Sequence, residues 1–302
     1  MDNNLAQQNS TPLAEVELVK NTNFNRFKNF IALLISNRAA LAGLIFIILI
    51  IFIAIFGKLL MPYNPYNGEI SNSLQAPSLS HFFGTDEQGR DIFSRVIDGT
   101  KISLKVGLIS VSIALSIGIL VGSICGYFGG KIDMILMRIM DIILAFPSLL
   151  LAIAFMSALG KGLEKAIIAI SIVTIPEYAR IIRGCVLSVR NSEYVQAAKA
   201  IGNNDFIIIF KHILPNILSP IIVRATLGIS TAILETSALG FLGLGVEPPL
   251  AEWGTMLGAG RSYFYNAPHI ILFPGLAITF TVLAFNLFGD GLRDALDPKL
   301  NS

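Results

Sequence analysis

The sequence predicts an all-α, polytopic membrane protein with six transmembrane helices, on three observations. Of its 302 residues, 54% are hydrophobic and 14% charged, where a soluble domain carries about 25% charged residues. The apolar residues collect in six runs with few charges, each near the roughly 20 residues that cross about 30 Å of hydrocarbon. Lysine and arginine cluster at alternate ends of those runs, as they do in cytoplasmic loops.

Taken in order, residues 1–38 are polar, Asn- and Gln-rich at the start, and read as a disordered cytoplasmic tail with Lys20, Arg26, Lys28 and Arg38. No small-residue cleavage site follows the first apolar run, so Ala39–Leu60 reads as a retained anchor. Residues 61–103, rich in Pro, Asn, Ser and Gly up to about Ser80, form an extracytoplasmic loop. A five-helix core over 104–290 follows, with spans at Leu104–Tyr127, Met134–Leu159, Leu163–Ile182, Ile217–Leu239 and His269–Phe288, a cytoplasmic loop at 190–215, and a cytoplasmic tail at 291–302. Arg180, Arg183, Arg190, Lys199 and Lys211 surround the inner loop, and Arg293 and Lys299 return to the same side. Lys101 and Lys105 flank the second span outside, but the even number of spans between the basic tail and the basic loop outweighs them.

The second span is rich in small residues, including Gly107, Ser110, Gly118, Gly122 and Gly126. Such residues let membrane helices approach closely, either within one subunit or along a path. Pro147 and Pro274 should kink the third and sixth spans.

Several functions are disfavoured. A formal charge of +2 with basic residues in short clusters does not suit nucleic acid. Cys125 and Cys185 sit in no CxxC or Cys/His spacing, which argues against a metal or a disulfide. "GGKI" and "GKGL" lack the spacing and the hydroxyl of a phosphate-cradling loop, and no nucleophile elbow or paired carboxylates appear. The chain is therefore not expected to be an enzyme by itself, nor to carry a cofactor.

One stretch is unlike the rest. In "EYVQAAKAIGNNDFIIIFKHILPN" a 3.6-residue period places Tyr194, Ala197, Ala198 and Ile201 on one face of a short helix, with Glu193, Gln196 and Lys199 elsewhere. Gly202 supplies a left-handed stop. Asn203, Asn204 and Asp205 offer caps for a second helix, Phe206–Ile213, and Pro215 should break the chain where the fifth span begins. The small-residue stripe suits the close approach of a partner; an interfacial helix lying on headgroups is the equal alternative.

Ionisable residues inside spans are costly and face a bundle interior or a water-filled path. Arg224 is expected to snorkel to the cytoplasmic headgroups. Glu235, about 16 Å further along the same helix, would lie near the outer mouth, meeting a substrate amine or pairing with a neighbouring subunit. Asp141 is expected to pair with Arg138 at i, i+3. "EPPLAEWGTML" reads as a re-entrant segment at an outer gate, with Trp253 at the interface.

The elbow resembles the cytoplasmic "EAA" loop of permease subunits of ATP-binding-cassette (ABC) importers, through Gln196, Ala197, Ala198, Gly202, Leu214 and Pro215, with Gln196 in place of the glutamate and His212 in place of the isoleucine. "HFFGTDEQGRDIFSRVIDGTKISLKVG", "GYFGGKIDMILMRIMDIILAFPSLLLAI", "ALGFLGLGVEPPLAEWGTML" and "FPGLAITFTVLAFNLFGDGLRDALDPKL" resemble segments of the dipeptide, oligopeptide and nickel permease group. The last two are most similar to its dipeptide second-subunit branch. The resemblance implies a type I ABC importer permease fold with an added N-terminal span, in the bacterial cytoplasmic (inner) membrane. It implies that Tyr194, Gln196, Ala197, Ala198, Gly202, Leu214 and Pro215 couple to an ATPase, with Glu235 and Trp253 on the path or gate. The implied partners are a second homologous permease subunit, one or two ATPase subunits that bind ATP and magnesium, an extracytoplasmic binding protein and its di- or oligopeptide. A nickel chelate, heme or an antimicrobial peptide is the alternative cargo; an ion-gradient transporter or a membrane scaffold is the rival of another class.

Overall fold

The computed structural model describes residues 28 and 31–296 of the chain. Lys20, Arg26 and Lys299, assigned above to the tails, lie outside them. The described residues are dominated by helices and contain no strand beyond one isolated bridge, Thr85 to Asp91.

Helix α1 (Arg38–Leu60) opens where the Asn37 side chain accepts from the backbone N–H of Ala39 and Ala40, satisfying two of the donors that every helix start leaves free. Helix α2 (Ile92–Phe128) starts at Asp91, whose carboxylate accepts from Ser94 N at 2.8 Å. Residues 92–103, assigned above to the outer loop, are thus helical. Their Ser, Arg, Asp, Thr and Lys content hid a continuous helix from a search for apolar runs. Residues 61–91 fold against its start: Asp86 pairs with Arg90 at 2.7 Å, and Arg95 Nη1 donates to the Pro65 carbonyl at 2.8 Å.

The third predicted span is two helices, α3 (Gly130–Leu144) and α4 (Ser148–Leu159), bent by 90°. Pro147 has no N–H and forces the preceding residue away from helical geometry, so the break is sharper than a kink. Helix α5 (Leu163–Val189) follows, then α6 (Glu193–Ala200), α7 (Leu218–Phe241), α8 (Trp253–Gly260) and α9 (His269–Leu296). Residues 291–296, assigned above to the tail, continue α9, which also runs through Pro274.

Pro215 does not break the chain. Residues Asp205–Ile207 are α-helical, Ile208–Ile213 wind as a π-helix and Leu214–Ile217 as a 3₁₀ turn leading into α7. The wide turn closes with Leu214 N donating to the Ile209 carbonyl, so the register changes before proline and its missing donor is absorbed.

Four segments are long and apolar enough to cross a membrane: α1, α2, Asp205–Phe241 and α9. The bent pair α3 and α4 makes a fifth. Helix α5, the remaining predicted span, is 27 residues long, about 40 Å, but with Glu164, Lys165, Glu177, Arg180 and Arg183 it has no uncharged stretch as long as those of the other segments.

Helix directions follow from packing. A Cβ at Gly118 would lie 2.5 Å from Cβ of Tyr178, one at Gly122 2.9 Å from Cβ of Ile182, and one at Gly126 2.7 Å from Cβ of Val186. Both numbers rise together, so α2 and α5 run parallel, and the bent pair between them returns the chain from one end of the bundle to the other. The small residues of the second span are thus spent within this chain. Helices α7 and α9 run antiparallel, with Ser230 on Asn286 and Gly289 against Leu227. Gly43 of α1 backs onto the Ala284 carbonyl and Gly291 onto Ala40, so α1 is antiparallel to α9. The start of α1, the end of α9 and α6 therefore share one end, the elbow end; residues 61–91 and α8 occupy the other, the loop end.

Candidate functional site

Helix α6 is closed by a Schellman motif. Gly202 has φ +78°, and Asn203 N donates to the Ala198 carbonyl at 3.2 Å while Gly202 N donates to that of Lys199 at 3.0 Å. The stripe predicted for its face divides. Val195 and Ala198 are buried in the main core, whereas Tyr194 and Ala197 are exposed and Ile201 is 79% exposed. Ala198 therefore holds the elbow to the bundle and is not surface. Gln196 is exposed, and its Nε2 donates to the Asn191 carbonyl at 3.0 Å, a bond that a glutamate could not donate. Pro215 is exposed and joins Phe206, Ile207, Phe210 and Lys211 around a shallow apolar concavity, while Leu214 is half-buried against the core. Tyr194, Ala197, Ile201 and this concavity are thus the exposed part of the elbow.

The elbow is tied to the bundle by groups that sequence reasoning missed. Tyr127 Oη, at the end of α2, donates to Asp205 Oδ1 at 2.6 Å, and Lys199 Nζ sits 4.7 Å above the same ring. Of the three residues that offered caps, Asn204 is the cap, accepting from Phe206 N, and Asp205 is instead the partner of Tyr127. Behind them Arg183 grips Asp133 with two bonds of 2.5 and 2.6 Å, and Arg190 Nη1 donates to the Gly126 carbonyl at 3.1 Å. No local signal announces these pairs, whose members lie 50 to 78 residues apart.

Within the spans, Asp141 pairs with Arg180 of α5 at 2.7 Å and not with Arg138. Arg224 does not snorkel; it is bound by Glu177 of α5 and lies 5.7 Å from the ring of Tyr178. In each case an opposite charge on the neighbouring helix lies within hydrogen-bond reach and takes the place of the headgroup or the same-helix partner. Glu235 is half-buried beside Ser148, the first residue of α4, and its Oε2 has no hydrogen-bond partner.

Trp253 is not interfacial. It is buried, its Nε1 donates to the Val96 carbonyl at 3.0 Å, and it fills the space left by Gly99. It anchors α8 to α2. The residue before it was not singled out in the sequence: Glu252 is fully buried and accepts from Gly254 N and Thr255 N, each at 2.8 Å. Burial pushes its carboxyl up to about 7, against the pull of those backbone donors.

The family model for the binding-protein-dependent transport system inner membrane component matches residues 118–302, and that for the N-terminal TM domain of oligopeptide transport permease C matches residues 25–77. The chain is 53% identical over 266 residues to the dipeptide transport system permease protein DppC of Alkalihalophilus pseudofirmus, covering 88% of each. It is 47% identical to the glutathione transport system permease protein GsiD of Pectobacterium atrosepticum (87% of this chain, 88% of that one). It is also 47% identical to the di/tripeptide transport system permease protein DppC of Pseudomonas aeruginosa (88% and 90%). Among solved structures, an inward-facing form of the MetNI methionine ABC transporter is similar in fold, with TM-score 0.56 and 20% identity over 67% of this chain and 97% of that one.

Proposed function

The chain belongs to the binding-protein-dependent transport system inner membrane component family, and from that premise we propose that it is one of two non-identical membrane subunits of an ATP-driven peptide importer. Its cargo is a di- or oligopeptide handed over by an external binding protein, in keeping with the dipeptide, di/tripeptide and glutathione relatives. Partner ATPase subunits bind ATP and magnesium. The chain sits in the bacterial inner membrane with both termini and the elbow cytoplasmic.

The observation that carries this reading is the elbow. Tyr194, Ala197 and Ile201 present apolar surface at one end of the bundle, beside the concavity of Phe206 and Phe210, while Val195 and Ala198 root the helix in the core. Force applied to that surface by an ATPase reaches α2 through Tyr127 and Asp205 and reaches α7 through the continuous winding from Asp205. A helix that only rested on headgroups would not need this rooting.

Gly202 gives the test. A Cβ there meets nothing within 4 Å in this chain, so a larger side chain projects outward onto the docking face, at a backbone cost of about 1–2 kcal/mol for leaving glycine at positive φ. Gly202→Leu is expected to insert at near-normal levels but to lose ATPase co-purification from detergent and peptide uptake in cells. Gly202→Asn, which tolerates the left-handed conformation, retains both. Full association and uptake by the leucine variant would leave the elbow as a headgroup-bound helix and remove the coupling role.

A further inference from the structure

We propose that the surface shared by α3, α5 and α7 is this chain's wall of the translocation path, and that its charges receive the two ends of a zwitterionic short peptide. The proposal rests on the importer reading above and adds to it the residues and the ligand chemistry.

The surface is defined by charge in the wrong place for lipid. The side chains of Arg180 and Asp141 are 57% and 51% exposed, and those of Glu177 and Arg224 43% and 25%. Glu177 and Arg180 lie turns away from either end of α5 and Arg224 lies well inside the segment Asp205–Phe241, while Asp141 sits in the last turn of α3, at the bend. Charged side chains that face hydrocarbon are costly and rare, and such groups usually face a bundle interior or a water-filled path. The outer faces of α1 and α9 show the contrast: Ile45, Ile48 and Ile55, and Leu272, Leu276 and Phe280, are exposed with no charge among them. Helices α3, α5 and α7 also expose Ile139, Ile142, Ile181 and Ile222, so what sets their surface apart is the charge set among those apolar side chains.

The polar side is continuous. On α7, Thr231 and Glu235 follow Arg224 by 7 and 11 residues, each within about 20° of it around the helix. On α5, Glu177 and Arg180 are a turn apart, and Gly184 continues the face with nothing within 4 Å of its Cβ position. Ion pairs join the three helices, Asp141 to Arg180 and Glu177 to Arg224. Above them Glu235 keeps an oxygen without a partner. The track thus runs from exposed Gly184 at the elbow end to Glu235 near the loop end, with both signs grouped at Asp141, Arg180, Glu177 and Arg224 and a lone carboxylate at Glu235.

Both signs define the ligand class. The Asp141–Arg180 pair is more than half exposed on both sides, and pairs so exposed are weak, so a peptide carboxylate can replace Asp141 on Arg180, and a peptide ammonium can replace Arg180, at little cost. A neutral solute makes no such exchange.

The test uses the assembled transporter with Cys125→Ala and Cys185→Ala, and single cysteines placed at Gly184 and Thr231 on the track and at Leu276 and Ile48 on the lipid faces. A charged, membrane-impermeant methanethiosulfonate is expected to modify the track positions at least tenfold faster than the lipid-face positions. Trialanine slows that reaction several-fold, and trialanine with acetylated and amidated ends does not. Equal rates at all four positions, or equal protection by the two peptides, overturns the proposal. If the cysteine-free parent shows no ATP-dependent peptide uptake while the track still reacts, the importer reading fails and the hydrated wall stands.

Discussion

At Glu252 a carboxyl is buried out of reach of bulk solvent and accepts from two backbone N–H groups. Its value in the folded state lies near 7, above the 4.5 of a free glutamate, so the folded protein binds a proton that the unfolded chain has released. A group raised in this way stabilises the fold fully below about pH 4.5 and loses that contribution as pH rises through about 7. Thermal stability in detergent should therefore fall between pH 5 and pH 8, and Glu252→Gln should flatten the profile while lowering stability by one backbone hydrogen bond, about 1–3 kcal/mol. An unchanged pH profile in the glutamine variant would place the titration elsewhere. Nothing in the sequence marks this residue. Its neighbour Trp253 drew notice as an interfacial aromatic, although both are buried by α2 and α7 packing on α8. Asp141 teaches the same lesson: the i, i+3 rule sees one helix, while the structure offers Arg180 from the next.

At the scale of the element, the apolar runs coincide with the four segments and the bent pair that are long and apolar enough to cross a membrane, because burial in lipid needs uninterrupted hydrophobicity over a known length; the remaining run is α5, whose charges set it apart. Apolar runs could not find where helices continue through polar sequence, as in residues 92–103, or where a proline is accommodated by a wide turn, as at Pro215. Pro147 was legible because no such turn precedes it. The glycines of α2 were legible as interface residues but not as to whose interface. Packing assigns Gly118, Gly122 and Gly126 to α5 and Gly107 to α7, with a Cβ at Gly122 only 2.9 Å from Ile182. Gly122→Leu should thus wedge apart the most extensive helix pair in the chain, an overpacking that costs about 1–3 kcal/mol. Cys125, buried three residues away, reports it. In a Cys185→Ala background, the temperature at which a thiol-reactive dye labels Cys125 should drop by several degrees for Gly122→Leu and stay put for Gly184→Ala, whose added methyl meets nothing.

For the whole molecule, the even number of crossings read from the sequence has a packing counterpart. Because α2 and α5 are parallel and α1, α7 and α9 alternate around them, residues 38–40, the elbow and the end of α9 lie at one end of the bundle, and residues 61–91 lie at the other. That arrangement is a property of the chain; which end meets the cytoplasm follows from charge. The elbow end carries Arg183, Arg190, Lys199 and Lys211, with Asp133 and Asp205 already engaged by Arg183 and Tyr127. The loop end also holds basic residues: Arg90 and Arg95 lie against Asp86 and Glu87, but Lys58, Lys101, Lys105 and Arg261 are exposed. The assignment therefore rests on parity, which puts the basic start of α1, the basic elbow and Arg293 at one end, and that end should be the cytoplasmic one. In intact cells, a single cysteine at exposed Ser80 should react with an impermeant maleimide and one at Asn203 should not, until the membrane is opened. Labelling of Asn203 from outside would invert the bundle, and with it the side on which an ATPase could reach Tyr194, Ala197 and Ile201.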